Sequence, residues 1–186
     1  MAINMTDKEA WILSRLAYMD FKRKDGSDAT GEYINKTLFD LAKAFYVDPK
    51  SGKPLNDFGE WGDMTNKEQN DMLGEIISGK YPDLSNLMLK DYTPNQYEVT
   101  GFFAYAFSLG NDTVFAFRGS EGSPFGSGLV RTIEGFLDTD WLDNIFTGTK
   151  RISLQFDPAK AFVQKNKMSG ETFVTAHSKG YITDYQ

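Results

Sequence analysis

The chain has 186 residues, 40% of them hydrophobic and 15% aromatic, which is material for one domain with a sizeable core. A formal charge of −6, from 20 Lys and Arg against 26 Asp and Glu, argues against nucleic-acid or anionic-membrane partners, because a phosphate-binding surface needs clustered cations. With no cysteine, a single histidine and no glycine-rich phosphate loop, the sequence offers no disulfide, thiol nucleophile, metal site or cofactor site.

The first predicted helix opens at Thr6-Asp7-Lys8-Glu9, a capping box in which the Thr6 hydroxyl and the Glu9 carboxylate each satisfy an orphan backbone N–H. Ala10, Leu13, Leu16 and Ala17 follow at helical spacing. Lys22, Arg23 and Lys24, flanked by Asp20 and Asp25, read as a solvated loop. A second amphipathic helix places Leu38, Leu41, Ala42 and Phe45 on one stripe. Asp48 to Gly62 is rich in Gly, Pro, Asp and Asn and reads as a loop. A second capping box, Thr65-Asn66-Lys67-Glu68, starts a third helix with Met72, Leu73, Ile76 and Ile77 as its apolar face and Gly79 as its end. Residues 1–92 are therefore expected to be mainly helical. Met1 to Glu9 lack a basic region followed by an apolar one, and no apolar run reaches the roughly 18 residues of a membrane span. The expected localisation is cytoplasmic, or exported without a classical signal peptide.

From about Gln96 the period changes. Tyr97 to Ser108 and Thr113 to Phe117 are aromatic and β-branched runs joined by Leu109-Gly110-Asn111-Asp112, a hairpin signal. Asp157-Pro158 reads as a helix start, with Ala159, Phe162 and Val163 on its packed face and Ser169-Gly170 closing it. Thr172 to His177 then reads as a strand, so the order predicts a crossover leading to a parallel pair. Residues 93–186 form the α/β part of what is expected to be one incomplete domain spanning 1–186.

That last strand runs into Ala176-His177-Ser178-Lys179-Gly180, a small-x-Ser-x-Gly turn with the layout of a serine-hydrolase nucleophile elbow. Such a turn needs small residues two before and two after the serine, where a larger side chain would collide with neighbouring backbone; Ala176 and Gly180 meet that need. Ser178 is the candidate nucleophile, and the backbone N–H of Lys179 is one candidate oxyanion donor. His177, on the same tight turn, projects away from Ser178 and is not the expected base. Asp184 lies too near in sequence to be a triad acid. Glu121, Asp138 and Asp112 near loops read as solvated rather than as lining a cleft.

Three blocks in order, Thr113-Val114-Phe115-Ala116-Phe117-Arg118-Gly119-Ser120, Asp140-Trp141-Leu142-Asp143-Asn144 and Thr175-Ala176-His177-Ser178-Lys179-Gly180, resemble the signature of class 3 lipase-like α/β-hydrolases. The chain is most similar to their bacterial Mbeg1-like branch, a domain of unknown function, and the helical opening Thr6 to Tyr18 shares that likeness. The resemblance implies a partial α/β-hydrolase sheet, mostly parallel with an N-terminal hairpin, preceded by a helical segment. It implies Ser120 as the second oxyanion donor, and a structural brace of Arg118 with Asp140 or Asp143. The chain departs from the family pattern in having Ala176 in place of the commoner Gly and Tyr181 in place of a second Gly after Gly180. Ser123, Ser127, Gly122, Gly126 and Gly128 beyond Ser120 read as a loop that suits either substrate gating or an idle surface.

Only eight residues follow Ser178, about 12 Å of helix, and none is a histidine. They cannot add a crossover and a further strand, so the elbow strand is expected to carry a naked edge that invites self-association or a second polypeptide completing the sheet. Two functions follow from these readings. One is a lipase- or esterase-like serine hydrolase acting on acyl esters or lipids, lacking its own triad acid and histidine; the other is an inactive hydrolase-derived interaction module that pairs with another chain.

Overall fold

The structure is a computed structural model that describes residues 3–19, 21–23, 25–54, 67–93, 103–118, 128–132 and 153–177. In chain order these form helix α1 (Asp7–Leu16), a 3-10 turn (Thr30–Tyr33), α2 (Leu38–Phe45), strands β1 (Val47–Asp48) and β2 (Lys53–Pro54), α3 (Lys67–Ile77), α4 (Pro82–Asn86), β3 (Met88–Tyr92), β4 (Phe103–Leu109), β5 (Asp112–Arg118), β6 (Gly128–Thr132), α5 (Ser153–Asn166) and β7 (Thr172–His177). The chain divides into two compact units, one of residues 1–18 with 91–186 and the other of residues 19–90.

The helical unit is built as its caps and stripes dictate. Thr37 and Asp40 form a reciprocal capping box at the start of α2, with the Asp40 N–H donating to the Thr37 hydroxyl at 3.1 Å and the Thr37 N–H to the Asp40 carboxylate at 3.2 Å. Leu38, Leu41, Ala42 and Phe45 are buried along one side of that helix, as their spacing predicts, and pack with the Met72, Leu73 and Ile76 face of α3. Asn70 on α3 clasps the backbone of Val47 through both its amide atoms, at 2.9 Å each. The expected loop from Asp48 begins with a short antiparallel pairing of β1 with β2; positions 55–66, including the Thr65-Asn66 cap, lie outside the described residues.

The main sheet runs in the order β3-β4-β5-β7-β6, of which β4 to β7 lie wholly in the sheet unit. β4 and β5 form the expected hairpin, closed from Leu109 to Asp112 by Gly110 and Asn111, with Gly110 at φ 61°, a left-handed conformation that glycine adopts without strain. β7 lies beside β5 and parallel to it, in the register Thr113 with Thr172 through Arg118 with His177. The expectation of a mostly parallel sheet is corrected here: the sheet is mixed, because the two-residue hairpin forces β4 and β5 antiparallel and β6 also enters antiparallel to β7. β6 corrects two further expectations. Gly128 opens a strand instead of extending a loop, and β7 has no naked edge, since its far side is hydrogen-bonded by β6 from Gly128 opposite Ala176 to Thr132 opposite Thr172.

Side chains alternate across these strands and clothe both faces. On one face Phe115, Phe117 and Val174 pack with Ala104, Ala106 and the Ala159, Phe162 and Val163 face of α5. The Phe162 ring stands edge-on to Phe115 at 6.0 Å between centroids, the arrangement that ring quadrupoles favour. That face of α5 matches its spacing, but the helix starts at Ser153, with Pro158 inside it and not at its head. The proline removes one backbone hydrogen bond from the helix, which runs through it.

The opposite face carries α1. Its capping box forms as predicted, with the Thr6 N–H donating to the Glu9 carboxylate at 2.8 Å and the Glu9 N–H to the Thr6 hydroxyl at 3.3 Å, so the buried Glu9 carboxylate is satisfied. Ala10, Ile12, Leu13 and Leu16 are all buried, and the helix packs along β5, β6 and β7. The first helix thus belongs to the sheet unit and not to the helical residues that follow it in sequence.

Candidate functional site

Four strand ends converge at one end of the sheet. Arg118 is the last residue of β5, and it is the register partner both of Phe103, the first residue of β4, and of His177, the last residue of β7. Gly128, the first residue of β6, pairs with Ala176 on the other side of β7. Neighbouring strands lie about 4.8 Å apart, so β5 and β7 end side by side, at Arg118 and His177, and run in the same direction. The end of β5 and the beginning of β6 flank the end of β7. In open α/β sheets the carboxyl ends of parallel strands are where ligands bind, and β5 with β7 is such a pair.

Of the sequence-predicted site residues, Arg118 lies within the described residues; Ser178, Lys179, Ser120, Asp140 and Asp143 lie outside them, as do Asp184, Glu121, Asp138 and Tyr181. Arg118 is half-buried, and its guanidinium stands 5.0 Å from the centroid of the Tyr18 ring. A cation over a ring face is held by the ring's negative quadrupole, and the Arg plane suits the stack. Tyr18 was not legible as a site neighbour, since 100 residues of chain separate it from Arg118 and nothing in its own surroundings points there.

The same face shows how α1 is held against the strand ends. The Thr175 hydroxyl donates to the Ala10 carbonyl at 2.9 Å, a buried bond between residues 165 positions apart. Ile3 donates its N–H to the Asp112 carboxylate at 2.9 Å. Asp112 marks the beginning of β5, Thr175 stands near the end of β7, and Arg118 closes β5. The contacts with Ile3 before α1, Ala10 on it and Tyr18 after it therefore follow one another in the direction in which β5 runs.

Asp112 departs from its expected solvated role. Its carboxylate is buried and also accepts the Glu171 N–H at 2.8 Å, so it ties the turn before β7 to the start of β5. A buried carboxylate with backbone donors on both oxygens is a structural clasp, and it sits at the opposite end of the sheet from His177.

Comparison with protein-family models, with curated proteins and with solved structures finds no match to this chain. Among the described residues no cluster of three or more His, Cys, Asp or Glu has the form of a metal site, and no helix is long and apolar enough to cross a membrane.

Proposed function

We propose that the chain carries the nucleophile portion of a lipase- or esterase-like serine hydrolase of the α/β-hydrolase type, acting on acyl esters. The observation that supports this reading best is the parallel pairing of β5 with β7 in a register that ends on Arg118 and His177. A nucleophile elbow needs a strand that delivers its serine to the carboxyl end of a sheet, beside a neighbouring strand end that supplies the second oxyanion donor. The sequence order Arg118-Gly119-Ser120 after β5 and His177-Ser178-Lys179 after β7 meets that requirement.

In this mechanism the Ser178 Oγ attacks the ester carbonyl carbon while its proton passes to a general base. The tetrahedral oxyanion is held by the Lys179 N–H and by Ser120. Its collapse expels the alcohol, leaving an acyl group on Ser178 that water then removes. The chain's single histidine, His177, adjoins the nucleophile on the elbow, so the base and its orienting acid belong to polypeptide outside these 186 residues. Oxyanion donors contribute independently of the base, so slow acylation is expected from this chain alone.

A short-chain nitrophenyl ester tests the reading. A burst of nitrophenol matching the amount of protein, followed by slow turnover and absent in Ser178→Ala, is the expected result. Equal release by both proteins would favour the other function, an inactive interaction module derived from a hydrolase.

A further inference from the structure

We propose that Tyr18 is a positioning residue for this site, acting through Arg118 on the end of β5; the proposal rests on the reading of Ser178 as nucleophile. Tyr18 follows the last turn of α1, and its N–H is bonded to the Arg15 carbonyl at 3.0 Å, so the ring is mounted on a fixed helix end. The helix is itself fixed lengthwise, by Asp112 on Ile3 and by Thr175 on Ala10. The ring meets the Arg118 guanidinium at 5.0 Å, at the last register position shared by β5 and β7.

This is the position from which geometry propagates into the chemistry. Arg118 is two residues before Ser120 in sequence, and its register partner His177 is one residue before Ser178. Strand ends fray unless something beyond the ladder holds them, and catalytic geometry is sensitive to displacements of about 1 Å. A ring face holds a guanidinium through its negative quadrupole, so the contact fixes where the end of β5 lies.

The test compares wild type, Tyr18→Phe and Tyr18→Leu in the full chain, using a fluorophosphonate as probe. In the labelling step a bond forms between Ser178 Oγ and phosphorus, the P–F bond breaks, fluoride leaves and the hydroxyl proton passes to solvent. The leucine variant is expected to lower the maximal labelling rate about tenfold with the half-saturating concentration unchanged, while phenylalanine, which keeps the ring face, retains the wild-type rate. Amide exchange is read in parallel: the leucine variant is expected to speed exchange at Phe117, Arg118 and Ala176 while leaving Val114 and Phe115 unchanged. Leucine labelling at the wild-type rate, or exchange at the strand ends equal in all three proteins, would overturn the proposal. A wild type that does not label at all removes the nucleophile reading and with it Tyr18's part in the reaction, and the exchange data still decide whether the ring holds the strand end.

Discussion

Asp112 and Ile3 are joined by a hydrogen bond that spans 109 residues of sequence, from the backbone N–H of the N-terminal segment to a buried carboxylate at the start of β5. The other oxygen of the same carboxylate takes the Glu171 N–H, so one side chain gathers the segment before α1, the β4–β5 hairpin and the turn that leads into β7.

Removing that carboxylate leaves two backbone donors, one buried and one part-buried, without a charged acceptor. Asp112→Ala is expected to destabilise the chain by about 3 kcal/mol, and Asp112→Asn, which keeps one acceptor oxygen, by about half of that. Urea unfolding of the three proteins measures both, and an alanine variant as stable as wild type would show that the clasp contributes nothing.

The turn that Asp112 holds leaves no room for a side chain at Gly170. A Cβ there would collide with the Asp112 carboxylate and stand 2.5 Å from the Asn111 carbonyl oxygen. The second of these is backbone and does not swing aside. Gly170→Ala is therefore expected to cost about 1–3 kcal/mol by pushing the turn off the hairpin, seen as a lowered unfolding midpoint.

The capping box at Thr6, the hairpin and the last strand were legible because each is written in contiguous residues. Thr6 with Glu9, Leu109 to Asp112 and Thr172 to His177 need no knowledge of the rest of the chain. The cap on α2 was overlooked because its partner is Asp40, where the usual signature has Glu or Gln. β6 was hidden by its setting, a five-residue strand opening on a glycine inside a Gly- and Ser-rich stretch, and its value lies in bonds to β7 some 40 residues or more further on. α1 shows the same limit from the other side. Its existence is local, but its place on the sheet depends on Thr175, Asp112 and Arg118, none of which lies near it in sequence. The strand ends that lead into Ser120 and Ser178 were foreseen from motif order, and Tyr18 beside them was not.

Acid is expected to act partly through Asp91. Burial on its own would push this carboxyl up. Hydrogen bonds from Lys165 at 2.7 Å and Asn166 at 2.9 Å, with the Tyr92 N–H, outweigh it and hold the carboxyl below the ordinary Asp value. A depressed carboxyl contributes stability that is fully present above its unfolded value, near 3.9, and is lost as pH falls through the lower folded value. Asp91→Asn should therefore be less stable than wild type at neutral pH, with the gap closing as pH falls below about 4. Denaturant midpoints across that range decide it; a gap independent of pH would mean that the ion pair does not carry the effect.

The proposed hydrolase function requires Ser178, the residue after β7 in sequence, to be a reactive nucleophile. The most direct measurement is to treat wild type and Ser178→Ala with a fluorophosphonate and locate the adduct by mass spectrometry of proteolytic peptides. A single adduct on Ser178, absent from the alanine variant while the fold is retained, is the predicted result. Wild type without an adduct, or with one at another residue that persists in Ser178→Ala, would rule out Ser178 as the nucleophile.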